Sequence, residues 1–278
     1  MTTTSPSDSL PTDADAGAIG GAIAIEYTAY AINHAEAGTV VLLGSLGATQ
    51  EMWEAQVGPL SEFYQVVTVD LRGHGESPYP DTSWTIEDMA ADVIAILDEL
   101  DVAEAHIVGL SLGGAVAQCL AVDYPQRVAS LVLSATAAKF GTAQAWQEKA
   151  ELVREQGTGA LADTVVGNWF TQECFDSTPQ LPRRFADMIT QNSDAGYAGC
   201  CEALAQFDSR PRLADIAAPT LVIAGAEDTS TALPVVSELH DAIPGSTQIT
   251  ISPAKHLLNV EQAELYTAAV LAQLRKVS

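Results

Sequence analysis

Ser111 stands at the centre of AHIVGLSLGGAVAQCLAVDY, residues Ala105 to Tyr124. His106, Ile107 and Val108 supply a strand, Gly109 and Gly113 remove side chains where the turn is tightest, and from Leu112 onward Ala, Val, Gln and Leu favour a helix. A strand, a Gly-x-Ser-x-Gly turn and a helix in this order present a serine hydroxyl as a nucleophile, and the chemistry is acyl transfer. The five-residue string alone has little specificity, because Gly and Ser mark many ordinary loops. The flanking strand and helix give it meaning.

A serine hydroxyl is a poor nucleophile at neutral pH. It needs a histidine to take its proton and a carboxylate to fix the histidine's tautomer. In the chain order serine, acid, histidine, Asp228 follows the strand-like TLVIAGAE and His256 follows TQITISPAK. His106 starts the nucleophile strand, His34 falls in an early turn and His240 belongs to a helical stretch, so none of them suits the base role. His74, in DLRGHGES, is the rival base, with shaping of its loop as the alternative role. Glu227 is the rival acid, and Asp228 is preferred because it lies further into the loop. Two backbone N–H groups must also meet the developing oxyanion. Leu112, directly after the nucleophile, supplies one. Leu46, in Gly44-Ser45-Leu46-Gly47 after an apolar strand, supplies the other, unless that glycine-rich segment is only a tight connection. The scheme requires no metal and no organic cofactor.

These residues need a scaffold that delivers strand ends to one edge. TVVLLGS (39 to 45), QVVTVDLRGHG (65 to 75), RVASLVLSAT (127 to 136), PTLVIAG (219 to 225) and TQITIS (247 to 252) are short apolar runs of buried-strand type. Helical stretches separate them: QEMWEAQVGPLSEF, TIEDMAADVIAILDEL with Thr85 and Asp88 as a capping-box start, and a C-terminal helix from about Val260. AIAIEYTAYAI (22 to 32) reads as a hairpin strand pair. Alternating strands and helices predict an α/β fold, a mostly parallel sheet covered on both faces.

The rhythm breaks from about Ala137 to Asp208, where AQAWQEKAELVREQ, GALADTVVGNWF, LPRRFADMIT and AGYAGCCEALAQF all suit helices. Inserted after a strand end, such a segment lies over the carboxyl edge of the sheet, where ligands bind in open α/β folds. The expected organisation is therefore a tail over 1–16, a core of 17–136 and 209–278, and a helical cap or lid over 137–208.

Composition bounds the rest. The 278 residues are 47% hydrophobic and 17% charged, with no apolar run long enough for a bilayer. The first sixteen residues have neither a basic start nor an apolar stretch, so the expectation is a disordered tail and a cytoplasmic protein. Cys119, Cys174, Cys200 and Cys201 show no metal-binding spacing and are expected as free buried thiols. A net charge of -24 opposes binding to nucleic acid or anionic membranes and favours a solvated acidic surface.

From about Tyr27 to Leu274 the chain resembles the α/β-hydrolases and, more narrowly, the 3-oxoadipate enol-lactonases of the β-ketoadipate pathway. The shared strings are GLSLGG, GSLGAT, VDLRGHGES, YPQRVASLVL, AAKFGTAQAWQEKAELVREQG, NWFT, GYAGCCEAL, PTLVIAGAED and KHLLNVEQ. Those in the cap are the most specific. The chain departs from the family in having Gly44 where Asn is common, TSTALP after Asp228, and Ala263 for a usual Pro. The resemblance implies hydrolysis of 3-oxoadipate enol-lactone through an acyl-enzyme on Ser111, with His256 and Asp228 as base and acid and no cofactor. The substrate is then a small anionic lactone, with Trp146 and Trp169 as candidate pocket walls. Arg154, Arg183, Arg184, Lys139 and Lys149 lie in the cap as candidate partners for its carboxylate. The competing expectations are a general carboxylesterase, another lactonase or a cofactor-free perhydrolase, and, from another class, a hydrolase-like binding protein. Haloalkane dehalogenation is disfavoured because its nucleophile is an aspartate, and this chain has Ser111.

Overall fold

The computed structural model describes residues 21–31 and 38–277. The expected tail over 1–16 and His34 lie outside them. Among the described residues seven strands form one sheet: β1 (Tyr27–Tyr30), β2 (Thr39–Leu43), β3 (Gln65–Val69), β4 (Ala105–Leu110), β5 (Val128–Ser134), β6 (Thr220–Gly225) and β7 (Thr247–Ile251). Their spatial order is β1-β3-β2-β4-β5-β6-β7. From β3 to β7 all pairs are parallel, and β1 runs antiparallel at the edge with Tyr27 opposite Val69.

The central strands β2, β4 and β6 are buried along their whole length, which is why their sequences are unbroken apolar runs rather than alternating ones. Successive side chains point to opposite faces, so each strand feeds two cores. Val41, Leu43 and Ile107 pack with Met89, Val93 and Val116 on one face. Val40, Leu42 and Val108 pack with Trp53, Leu60 and Tyr266 on the other.

The first face is covered by α2 (Ile86–Glu99), α3 (Leu112–Asp123) and α9 (Leu233–Ala242), and the second by α1 (Glu54–Ser61) and α11 (Ala263–Leu274). At the start of α2 the Thr85 hydroxyl accepts from Asp88 N, and Asp88 accepts from the Thr85 amide at 2.8 Å. Caps of this type contribute about 1 kcal/mol.

Between β5 and β6 run five helices: α4 (Ala143–Gln156), α5 (Gly159–Trp169), α6 (Gln172–Ser177), α7 (Gln180–Gln191) and α8 (Asp194–Gln206). They touch the loops that leave the carboxyl ends of the strands. Gly196 of α8 backs onto Gly73 after β3, and the Leu257 amide after β7 donates to the Trp169 carbonyl at 3.2 Å. No helix among the described residues is long and apolar enough to cross a membrane.

Four readings of the sequence are corrected. Residues 22–31 hold one strand, β1, whose partner is β3 rather than a neighbouring segment in a hairpin. The strand expected over 65–75 ends at Val69, because Asp70 to Gly75 form a loop fixed by side-chain hydrogen bonds. The stretch from Gln50 opens with a 3-10 turn, Gln50–Trp53, before α1. The C-terminal helix is broken at Gln262 (φ -125°, ψ 52°) into α10 (Leu258–Glu261) and α11. Cys119, Cys200 and Cys201 are free and buried, whereas Cys174 is free but only half-buried.

Candidate active site

Ser111 lies between β4 and α3 with φ 57° and ψ -113°, a conformation that costs an L-residue energy and that the surroundings must hold. Three backbone contacts do so. Ser111 N donates to Ser134 O at 2.9 Å, and Ser111 O accepts from Ala115 N at 3.1 Å and from the Thr136 hydroxyl at 2.8 Å. The helix start is pressed against β2: Gly113 N donates to Gly44 O at 2.8 Å. A Cβ on Gly113 would lie 2.1 Å from Leu43 O, and one on Gly109 would lie 2.3 Å from Gly113 O. Only glycine permits this packing at both positions.

Asp228 follows β6 and His256 follows β7, adjacent strands whose loops meet. His256 Nδ1 donates to Asp228 Oδ2 at 2.8 Å. The same oxygen accepts from the Thr231 hydroxyl at 2.6 Å, and Oδ1 accepts from Ser230 N at 2.8 Å and Thr231 N at 3.2 Å. Burial raises the Asp228 pKa, but the charge and hydrogen bond of His256, with those of Thr231, outweigh it and hold the carboxyl at about 2. An ionised Asp228 accepting from Nδ1–H leaves His256 Nε2 as the ring's basic nitrogen. Among the described residues no hydrogen bond links that nitrogen to Ser111 Oγ. Such contacts are often loose without substrate.

The loop after β2 is a turn closed by Ala48 N donating to Ser45 O at 3.0 Å, with Gly47 at φ 86° in its third position. This is type II geometry, which favours glycine there. Among the described residues neither the Leu46 amide nor the Leu112 amide has an acceptor, although both residues are buried. Two unpaired donors beside a strained serine can receive negative charge on an oxygen.

Of the rivals, His74 is buried with both ring nitrogens committed to the main chain. Nε2 accepts from Gly47 N at 2.8 Å, and Nδ1 faces Arg72 O at 3.1 Å. Glu227 is exposed, whereas Asp228 is buried. Trp146 is half-buried on α4, its Nε1 donating to Phe140 O at 2.7 Å and Lys149 Nζ lying 4.3 Å from its ring centre. Trp169 adjoins the loop after β2: a Cβ on Gly47 would meet Tyr197, Ile189 and Trp169 at 3.0, 3.4 and 3.8 Å.

Asn192 and Thr231 have no counterpart in the sequence reading. Asn192 donates to Gly47 O at 2.9 Å and accepts from Gly75 N at 3.1 Å, so it ties the end of α7 to two core loops. Nothing in the local sequence announces a contact across 145 residues.

The Ser111 site is covered. An open groove of about 1210 Å³ is lined by residues such as Gln50, Glu54, Asp70, Arg183 and Gln191, and includes neither Ser111, Asp228 nor His256. Those three are 8%, 5% and 4% exposed, beneath the α5, α7 and α8 contacts to the loops.

Residues 38–263 match the family model described as the alpha/beta hydrolase fold. The chain belongs to the α/β hydrolase family. This α/β hydrolase is 38% identical over 254 residues to 3-oxoadipate enol-lactonase 2 of Acinetobacter baylyi, covering 91% of this chain and 94% of that one. It is 34% identical to 3-oxoadipate enol-lactonase 1 of the same organism, over 82% and 85% of the two chains. Among solved structures it is similar to the enol-lactonase from Burkholderia xenovorans LB400, with TM-score 0.87 and 34% identity over 90% of this chain and 96% of that one. The likeness to these relatives covers both the sheet and the helices between β5 and β6.

Proposed function

We propose that this α/β hydrolase opens 3-oxoadipate enol-lactone to 3-oxoadipate through an acyl-enzyme on Ser111. The observation that carries the reading is the likeness to named enol-lactonases across 91% of the chain, a span that includes the helical segment as well as the common sheet. The site geometry supports the same chemistry. In this reading residues 137–208 act as the lid, with Trp146 as one wall of the substrate compartment. The enzyme is cytoplasmic, acts on a small anionic lactone, and takes neither nucleic acid nor membrane as a partner.

His256 Nε2 accepts the proton of Ser111 Oγ as that oxygen bonds to the lactone carbonyl carbon. The amides of Leu46 and Leu112 hold the oxyanion, and Asp228 steadies the imidazolium. Collapse breaks the ring C–O bond, and the leaving enol takes the proton from His256 and tautomerises to the ketone. An enol leaves more readily than an alkoxide, so proton donation to it weighs less than oxyanion stabilisation. Water, deprotonated by His256, then attacks the acyl-enzyme and releases 3-oxoadipate.

A panel of the enol-lactone, saturated γ-lactones and aryl esters tests the assignment. The expected result is a kcat/KM at least about 100-fold higher for the enol-lactone than for the saturated lactones. A preference for simple esters would replace the substrate and keep the reaction class.

A further inference from the structure

We propose that Lys149, seated against Trp146, is the cationic subsite that holds the carboxylate of an anionic substrate. This rests on the ester-hydrolase reading of Ser111 and names the group that reading leaves unassigned. The chain carries 36 acidic residues against 12 basic ones. Its cap cations are mostly spent on this excess. Arg154 pairs with Glu202, Arg184 with Glu51 and Glu54, and Lys139 with Asp208. Arg183 is exposed on α7. Lys149 is different: it is half-buried on α4, and among the described residues no carboxylate forms a salt bridge with it. Its ammonium lies 4.3 Å from the centre of the Trp146 ring.

Two chains of contacts lead from Lys149 to the reacting centre. Trp146 is hydrogen-bonded to Phe140 O, four residues after Thr136, whose hydroxyl holds Ser111 O. On α8, Cys201 lies within electrostatic range of Lys149, and one helical turn earlier Tyr197 packs against Gly47 of the oxyanion loop. Lys149 therefore sits where α4 packs on α8, one helical turn of α8 away from the residue that meets the loop after β2. Burial pulls the pKa of this ammonium down, the behaviour of a cation that lacks its counter-ion, and a bound carboxylate would reverse the shift. The local positive charge also answers an electrostatic difficulty, since a net charge of -24 opposes long-range capture of an anion.

The test compares wild type, Lys149→Met and Lys149→Arg on two matched pairs of substrates. One pair is the enol-lactone and its methyl ester; the other is p-nitrophenyl hydrogen succinate and p-nitrophenyl butyrate. Lys149→Met keeps the apolar stem on Trp146 and removes the charge. The expected result is that its kcat/KM falls about 10- to 100-fold more on the anionic member than on the neutral one, chiefly through KM. Lys149→Arg should recover much of the difference. Equal losses on anionic and neutral members, or no loss on either, would overturn the proposal. A wild type that turns over neither lactone would sink the substrate reading alone, and the aryl-ester pair would still decide the role of Lys149.

Discussion

His74 and Gly47 are joined by a 2.8 Å hydrogen bond in which the histidine Nε2 accepts from the glycine amide. This bond fixes the tautomer: Nδ1 carries the proton and donates it to Arg72 O at 3.1 Å. Arg72 is in turn buried and bound through both Nε and Nη2 to Asp92 of α2. The loop after β3 thus serves as a bracket for the loop after β2, on which Leu46 sits. Asn192, at the end of α7, closes the bracket through Gly47 O.

Replacing His74 by Phe should lower kcat by about 10- to 100-fold with a smaller change in KM. In the proposed mechanism the loss is less than the roughly 10²- to 10³-fold effect of deleting an oxyanion donor, because the Leu46 amide is displaced rather than removed. Steady-state kinetics of the purified variant checks this, and a rise in KM at constant kcat would contradict it.

Burial of the same histidine makes stability depend on pH. Burial outweighs the backbone contacts to Arg72 and Leu71 and lowers the His74 pKa from 6.5 to about 4. Below pH 6.5 the unfolded chain takes up a proton that the folded one refuses, so stability falls as pH drops from 6.5 towards 4. The full effect is on the order of 3 kcal/mol. Asp228, held at about 2 against its usual 3.8, adds a second loss below pH 3.8. Urea denaturation at pH 7, 5.5 and 4.5 should show the first decline in wild type and a flatter profile in His74→Phe. Parallel profiles would contradict the assignment.

Asp228→Asn should reduce kcat by about 10⁴-fold, because an amide cannot hold His256 in the required tautomer. Glu227→Gln should stay within about twofold, since that side chain is exposed and a surface change of this kind touches nothing at the site. A reversal of the two results would move the acid to Glu227.

Gly113→Ala should destabilise the fold by more than about 3 kcal/mol, a core overpacking effect at its upper range. The obstacle is Leu43 O, a backbone atom of a buried central strand that cannot step aside. Thermal melting followed by circular dichroism reads the loss, and an unchanged melting temperature would contradict the packing described for the elbow.

The elements that carry local period and caps were legible in the chain. The run Ala105–Leu110 is long enough to be a buried strand, Thr85 and Asp88 mark the start of α2, and alternation of runs predicts the parallel sheet. Asp228 and His256 were placed by the order of strands, which decides which loops can meet. Contacts between segments distant in sequence were not legible. The β1 strand pairs with β3 because edge pairing depends on the whole sheet, which a 4-residue strand cannot report. His74, Asn192 and Thr231 act through hydrogen bonds to backbone or to one carboxylate, and such bonds leave no periodic pattern. The place of Trp169 beside Gly47 depends likewise on how α5 docks.

Every step of the proposed mechanism follows from attack of Ser111 on the lactone carbonyl. The most direct measurement is the loss of ultraviolet absorbance of freshly generated 3-oxoadipate enol-lactone, followed with wild type and Ser111→Ala in parallel. Rapid decay is expected with wild type, and a rate lower by about 10³-fold or more with the variant, its fold being intact by circular dichroism. Near-normal decay with Ser111→Ala would contradict it.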